Sequence, residues 1–248
     1  MVIKNFVAGL FNKDVRQQQA FDKLVGRLVS KNMQHEERLG AIEALAYEDS
    51  DRAISALFRR WDLTADKQRE DVAEKELLRD VLIEKGAKVL PHLRAHNDRS
   101  VNITWPLQVL KAIASPEDVV EELLRVLARE QARIASFKPE KKVALLRLLS
   151  DYEDERITPA GCVSLADFDP DVRFEAIQLL VEAGDDRAIE PMLDRLVSDE
   201  EDAGRVREGI LEALMARGWS VQARKAEVTP FLGSRFEIAP TGLVQTVG

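Results

Sequence analysis

The sequence contains an internal repeat, and this repeat limits the possible folds more than any other feature. Residues 36–54 align with residues 171–189 without a gap, and eight of the 19 aligned positions are identical. The two segments lie 135 residues apart, which fits four structural units of about 34 residues each. Self-similarity with this period is typical of stacked helical repeats, in which each unit covers the apolar face of its neighbour. We therefore expect an all-α fold built as one array.

The composition agrees with a helical, folded protein and bears on its partners. Hydrophobic residues make up 45% of the chain and charged residues 32%, which is enough apolar material for a core. The formal net charge is −8, and an acidic chain is repelled by phosphate backbones unless its basic residues lie on one face. The charge therefore argues against nucleic acid as the partner.

Cysteine usage and the apolar runs bear on the compartment. Cys162 is the only cysteine, so the chain cannot form an intramolecular disulfide, which suits a reducing compartment. We expect Cys162 to fill a small buried space. The sequence has no run near the ~18 apolar residues of a membrane-spanning helix. The early apolar run at residues 6–11 is shorter than the roughly 7–15 residues of a signal peptide. We expect a cytoplasmic protein with no membrane span.

The two ends of the chain differ from the middle. Residues 1–34 contain two apolar stripes with helical spacing, at 3–11 and 21–29, and these predict N-terminal capping helices. The first stripe could instead bind a partner or a membrane surface. Residues 219–248 contain short β-prone runs around Pro240, which predict a hairpin. We expect this segment to be either a C-terminal cap or a docking tail.

Several residues mark where helices should begin and end. Ser115 precedes Pro116 and Asp169 precedes Pro170, and each pair places a capping oxygen before a proline at the first helical position. Glycine ends helices because it enters the left-handed conformation without a steric penalty. Three glycines stand at predicted helix ends: Gly86, Gly184 and Gly218.

The segment 169–176 reads Asp-Pro-Asp-Val-Arg-Phe-Glu-Ala and resembles the D-x-D-x-x-V-R-x-x-A region of HEAT repeats, a family of armadillo-like helical hairpins. The proline-bearing segments 188–193 and 89–93 are similar to the second helix of such a unit. The resemblance implies a HEAT-like α-solenoid of about five or six stacked helical hairpins over 35–218. We expect one repeat domain, 1–248.

The resemblance also assigns a role to three arginines. In HEAT repeats the Val-Arg helices line the concave side of the solenoid, and the proline-bearing helices line the convex side. The resemblance implies that Arg38, Arg173 and Arg207 hold the turns through carboxylates such as Asp169. A role in binding would leave the same pattern in the sequence.

A candidate binding surface lies on the helix after residue 102. Four residues with helical spacing predict its buried stripe: Ile103, Leu107, Leu110 and Ile113. Trp105, Gln108 and Lys111 then fall on the opposite side, where an exposed tryptophan would be a strong anchor for a partner. Trp105 could instead pack under a neighbouring helix.

The repeat alignment adds four polar positions to this predicted concave face: Glu43, Glu175, Gln178 and Glu182. One aromatic anchor with scattered carboxylates suits a peptide or helix that is amphipathic and somewhat basic. The partner-binding hypothesis therefore rests on these four positions together with Trp105, Gln108 and Lys111.

The sequence points to no catalytic, cofactor-binding or metal-ligating residues. It lacks the glycine-rich motifs of nucleotide-binding sites and the G-x-S-x-G motif of hydrolases. His92 and His96 have the i, i+4 spacing of two metal ligands, but no motif supplies a third ligand, and a helix C-terminus favours histidine on its own.

The leading hypothesis for function is a non-enzymatic scaffold or adaptor that binds another protein on the concave face, within a larger assembly. One alternative is an enzyme or enzyme subunit related to the bilin lyases, whose sites lack a short testable motif. A second alternative is a nucleic-acid-binding HEAT-like protein, which needs a basic stripe on the proline-bearing helices. Six arginines could form that stripe: Arg59, Arg60, Arg94, Arg125, Arg129 and Arg195.

Overall fold

The structure is a computed structural model that describes residues 2–132 and 139–247, with side chains described from residue 14 onward. The described chain is helical apart from one small two-stranded sheet. It divides into two compact units, Met1–Ser115 and Pro116–Gly248. The predicted all-α class with a short β element is confirmed. Among the described residues, none of the helices has the length and apolar character needed to cross a membrane.

The first unit contains six α-helices and two short 3-10 helices in the described residues. They are α1 (Val2–Leu28), α2 (His35–Glu48), α3 (Asp51–Phe58), the 3-10 helix Arg59–Asp62, α4 (Gln68–Glu84), the 3-10 helix Gly86–Val89, α5 (Leu90–Asn97) and α6 (Thr104–Ile113). Successive helices α1, α2 and α3 pack together, and helices two apart along the chain also pack together: α2 with α4, α4 with α6, and α3 with α5.

The second unit repeats this packing. Its helices are α7 (Pro116–Gln131), α8 (Glu140–Leu149), α9 (Ile157–Ser164), α10 (Pro170–Ala183), α11 (Ile189–Val197), α12 (Gly204–Arg217) and α13 (Lys225–Val228), with 3-10 helices at Asp186–Ala188, Gln222–Arg224 and Thr229–Phe231. Helices two apart again pack together: α8 with α10, α10 with α12, and α11 with α13.

The N-terminal segment differs from the prediction of two helices. A single helix, α1, runs through both apolar stripes. The polar stretch between the stripes, residues 12–20, has neither proline nor glycine and is rich in glutamine, lysine and arginine, which favour a continuous helix. The predicted apolar side chains at 3–11 lie outside the described side chains, whereas Val25 and Leu28 of the second stripe are buried.

The predicted helix ends are confirmed in the second unit. The Asp169 carboxylate accepts hydrogen bonds from the backbone N–H groups of Asp171 (2.8 Å) and Val172 (3.4 Å), so it caps α10. Gly184 and Gly218 follow α10 and α12 with φ of 62° and 64°, the left-handed region that glycine enters most easily.

The C-terminal hairpin is also confirmed. Strand β1 (Phe236–Ile238) pairs antiparallel with β2 (Val244–Thr246), one residue later than predicted for the second strand. Gly242 in the connecting turn has φ of 83°, and its carbonyl accepts a hydrogen bond from Val221 N–H at 2.8 Å. Strand β2 packs against α12, and Phe236 and Val244 are buried.

The apolar residues of the internal repeat are buried in the core of both units. The identical pairs Ala41/Ala176, Ile42/Ile177 and Leu45/Leu180 are each at most 1% exposed. Helices α2 and α10 bury the same positions. Close packing in the core therefore explains why the apolar residues of the repeat are identical.

A buried ion cluster joins the helices of the first unit. Glu74 of α4 is fully buried, and its carboxylate accepts hydrogen bonds from Arg38 Nε at 2.8 Å and Arg60 Nε at 2.7 Å. His35 Nδ1 lies 2.7 Å from the other oxygen. Arg38 also donates to the Met33 carbonyl, and Arg60 donates to the Leu63 carbonyl at 3.0 Å. The cluster therefore ties three helical segments to two turns.

The second unit has a matching cluster at the same offset of 135 residues. Glu201 is fully buried and accepts hydrogen bonds from Arg173 (2.6 and 2.8 Å) and from Arg195 Nε (2.6 Å). Arg173 aligns with Arg38, and Arg195 aligns with Arg60, so both arginines of the cluster are repeated. The carboxylates do not share the offset, because Glu74 lies within α4 whereas Glu201 lies in the loop before α12.

These contacts correct one detail of the expected arginine role. Arg173 does hold the turn before α10, donating to the carbonyls of Asp167 (3.0 Å) and Phe168 (2.9 Å). Its carboxylate partner is Glu201 and not Asp169, because the Asp169 side chain caps its own helix. Arg207 donates to backbone carbonyls, at Ser198 (3.0 Å) and Leu196 (3.3 Å).

The clusters predict that acid destabilises the fold. Burial alone would raise the pKa values of Glu74 and Glu201, but their arginine hydrogen bonds outweigh it and lower both pKa values. A carboxyl with a lowered folded-state pKa stabilises the protein above its unfolded pKa, about 4.3 for glutamate, and that stabilisation is lost as the pH falls further. We expect urea-unfolding midpoints to fall from pH 5 to 3. The Glu74→Gln variant and the Glu201→Gln variant should each show a shallower pH dependence than the wild type, and an equally steep one in both would contradict this expectation.

Candidate functional site: a basic cleft in the first unit

A cleft of about 970 Å³ opens in the first unit. It lies between the second half of α1, the face of α3 that carries Arg52, the 3-10 helix that follows α3, and residues 96–102 at the end of α5 and just after it. We call it the basic cleft, because its lining contains four cationic side chains and two carboxylates. The cations are Arg52, Arg59, Lys75 and Arg99, and the carboxylates are Asp22 and Asp62.

Helix α3 supplies one wall of the basic cleft through its spacing. Its buried face carries Ile54, Leu57 and Phe58, each at most 1% exposed. Residues 52, 55, 56 and 59 follow the i, i+3, i+4, i+7 pattern and face the cleft. Ser50 caps the helix by accepting a hydrogen bond from Ala53 N–H at 3.2 Å. The wall therefore belongs to a capped helix that is anchored by its apolar side.

Aromatic side chains form the floor of the basic cleft. Trp61 is 3% exposed and packs edge-on against Phe58 with 5.3 Å between ring centroids. Its indole N–H donates to the Lys75 carbonyl at 3.4 Å. The guanidinium of Arg52 lies 4.4 Å from the ring centroid of Phe21, a cation–π contact. The floor is fixed by packing before any ligand arrives, so little ordering is required on binding.

The cations of the basic cleft differ in how they are paired. Arg52 binds Glu48 at 2.8 Å, and Lys75 binds the buried Asp71 at 2.7 Å. Arg59 and Arg99 are exposed, and among the described side chains neither forms an ion pair. Two unpaired guanidinium groups over an aromatic floor are a natural site for an anion that also carries an apolar group.

The remaining polar groups of the basic cleft are held by neighbours. The carboxylate of Asp62 accepts a hydrogen bond from Ser100 Oγ at 2.7 Å, and His96 Nε2 lies 3.9 Å from the same carboxylate oxygen. Asp22 accepts a hydrogen bond from Gln18 at 2.8 Å. These contacts orient the two carboxylates, and both keep their negative charge beside the four cations.

The predicted partner-binding residues of the first unit lie outside the basic cleft. On α6, Gln108 and Lys111 are exposed as expected, and Trp105 is half-buried. Arg79 Nη1 donates to Gln108 Oε1 at 3.4 Å. Glu43 is exposed on α2. The core stripe of α6 is broader than predicted, because it adds Pro106 and Val109, while Ile113 is only half-buried.

The other predicted binding residues lie in the second unit. Gln178 is exposed on α10, whereas the Glu175 carboxylate is largely covered and binds Arg147 Nε at 2.8 Å. Glu182 lines a smaller groove of about 480 Å³, which is strongly acidic and includes Asp154 and Asp185. Glu175 is therefore engaged within the unit, while Gln178 and Glu182 stay accessible.

The arginine stripe considered for nucleic-acid binding does not form as a set. Arg60 is fully buried against Glu74, and Arg195 is held by Glu201. Arg125 pairs with Glu122 at 2.8 Å. Of the six arginines, Arg59 is the one that lines the basic cleft.

His92, His96 and Cys162 are placed differently from the residues of a metal site or a reactive-thiol site. His92 Nδ1 lies 2.8 Å from Ser55 Oγ, and His96 lies against Phe58 and Trp61. Within the described residues, no three side chains of histidine, cysteine, aspartate or glutamate group as a metal site would require. Cys162 is half-buried and not the buried filler predicted, and burial raises the pKa of its thiol.

Comparisons with protein-family models, with curated proteins and with solved structures find no match to this chain.

Proposed function

We propose that the protein is a non-enzymatic adaptor that binds another protein, and that the basic cleft is its principal docking site. The observation that carries this proposal is the pair of exposed guanidinium groups, Arg59 and Arg99, which form no ion pair with any described residue and lie above the fixed aromatic floor. An extended or turn segment with one carboxylate or more beside an apolar side chain matches this arrangement. The occupant is therefore acidic, in contrast to the basic peptide that suits the predicted concave face.

The proposal includes a HEAT-like solenoid as the scaffold. Its support is the packing of helices two apart along the chain in each unit, together with the repeated arginine pairs Arg38/Arg173 and Arg60/Arg195. Both features suit units that stack through a shared core. A scaffold of this kind presents a preformed surface, which lowers the cost of binding.

Charge reversal in the basic cleft is expected to abolish partner binding. Arg59→Glu/Arg99→Glu places two carboxylates where the partner's carboxylate should bind, so we expect a loss of affinity of at least about tenfold, or roughly 1.4 kcal/mol. The measurement is an affinity pull-down from an extract of the native cells, with quantitative mass spectrometry of the retained proteins and the 260/280 nm absorbance of the eluate.

The matched control is Lys31→Glu/Arg69→Glu, which makes the same change of net charge in the same unit outside the basic cleft. A protein retained by the wild type and by this control, and lost with the cleft variant, is the expected result. Equal recovery on all three baits would exclude the cleft as the docking site. Nucleic acid as the main retained material would refute the adaptor proposal. Trp105→Ala tests the α6 face in the same assay.

A further inference from the structure

The second unit presents an aromatic side chain almost entirely to solvent. Phe168 is 96% exposed and lies in the turn between α9 and α10, residues 165–169, which we call the Phe168 loop. A single exposed aromatic residue on a protruding turn is a common anchor in protein interfaces. Phe168 contributes nothing to the core of its unit, so packing within the unit does not explain why a phenylalanine occupies this position.

The Phe168 loop is held in place from several directions. Arg173 donates to the carbonyls of Asp167 (3.0 Å) and Phe168 (2.9 Å). The Asp167 carboxylate accepts from Asp169 N–H at 3.0 Å and from Lys142 Nζ at 2.7 Å. Arg173 is in turn fixed by the fully buried Glu201. The loop is therefore preorganised, and docking through Phe168 would cost little conformational entropy.

Carboxylates accompany Phe168 at the surface. Asp202 is 92% exposed and lies 3.4 Å from the same Arg173 guanidinium that binds the Phe168 carbonyl. Asp169 is the next residue along the chain; among the described residues its carboxylate caps α10 through backbone N–H groups and forms no ion pair. The loop therefore combines an apolar knob with acidic neighbours, which is the chemistry that the basic cleft requires of its occupant.

We propose that the Phe168 loop of one molecule docks into the basic cleft of a second copy of this chain. Phe168 would contact the floor formed by Trp61 and Phe21, and the carboxylates beside it would face Arg59 and Arg99. Each molecule carries one loop and one cleft, so the contact is heterologous and extends into a chain or closes into a ring. This inference rests on the proposed function, because it names the occupant of the same cleft.

The consequence is competition between self-association and partner binding. A second copy that occupies the basic cleft excludes any other acidic segment from it. The partner would therefore bind best at low protein concentration, and it would break the self-assembled form apart as it bound.

Sedimentation velocity over a range of concentrations tests the inference with two complementary variants. Phe168→Ser removes the knob and keeps the cleft, while Arg59→Glu/Arg99→Glu removes the cleft charges and keeps the knob. We expect the wild type to grow in mass with concentration and each variant alone to remain monomeric. An equimolar mixture of the two variants should form a dimer and nothing larger, because only one functional loop and one functional cleft remain.

The control Lys31→Glu/Arg69→Glu should associate like the wild type, and circular dichroism should show that every variant is folded. A wild type that stays monomeric at all concentrations, or a Phe168→Ser variant that associates normally, would overturn the inference. If the wild type is monomeric but the extract still yields a cleft-dependent partner, self-docking is wrong and the proposed function stands. If the wild type stays monomeric and the extract yields no cleft-dependent partner, self-docking and the proposed function are both wrong.

Discussion

Replacing Glu74 by glutamine is expected to lower the free energy of unfolding by about 3–5 kcal/mol, because it removes the counter-charge of the buried Arg38 and leaves the buried Arg60 with Asp71 alone, at 2.6 Å. The Glu74 carboxylate is fully buried and is shared by Arg38 and Arg60 at 2.7–2.8 Å. Glutamine keeps the shape of the side chain, but its amide nitrogen cannot accept a hydrogen bond from either arginine. Urea unfolding followed by circular dichroism measures the change.

Glu76→Gln is the matched control for this prediction, because Glu76 is exposed on the same helix and also loses one negative charge. We expect its unfolding midpoint to stay at the wild-type value. If Glu74→Gln were no less stable than Glu76→Gln, the arginine–glutamate cluster would have no part in holding the first unit together.

Replacing Leu180 by alanine is expected to destabilise the protein by about 2–5 kcal/mol, the usual range when a fully buried leucine is truncated and leaves a cavity. Leu180 is 0% exposed on α10, and its side chain also lies against Gly161 of α9. The lost side chain therefore removes contacts between two helices as well as apolar burial.

Phe168→Ala provides the contrast within the same unit. It removes a larger side chain, but one that is 96% exposed, so we expect no loss of stability. Thermal unfolding of both variants measures the difference. A Phe168→Ala variant as unstable as Leu180→Ala would mean that Phe168 is buried in the folded protein, which would also remove the basis for docking through it.

The fold class and the helix ends could be predicted because they depend on local chemistry. Asp169 followed by Pro170 starts a helix, and Gly184 and Gly218 end helices, whatever surrounds them. Leu45 and Leu180 could be recognised as core from their helical spacing and from the repeat.

The features that could not be predicted depend on contacts between distant segments. Arg38 and Arg173 are visible in the repeat, but Glu74 and Glu201 lie 36 and 28 residues after them. Because the two carboxylates come from different positions in the repeat, an alignment of the two segments cannot find them. Arg60 and Arg195 obey the offset of 135 residues and could have been paired from the sequence.

The basic cleft was missed for a similar reason. Arg52, Ser55 and Arg59 have helical spacing and are exposed, so the sequence could have predicted that they share one face of α3 and the turn that follows it. Arg99 and Trp61 join it only through the tertiary fold. Trp105 lies opposite the apolar stripe of α6, a pattern typical of a binding anchor. Because it is half-buried in the structure, a binding role for the α6 face stays a prediction.

Site-specific photo-crosslinking in the native cells tests whether the basic cleft holds a partner protein. A photoreactive amino acid would replace Val101, an exposed residue that lines the cleft, or Gln108 on the α6 face, or Glu76 as a control. We predict a crosslinked partner from position 101, none from position 76, and loss of the product when Arg59→Glu/Arg99→Glu is added. A product from position 108 with none from position 101 would contradict the account.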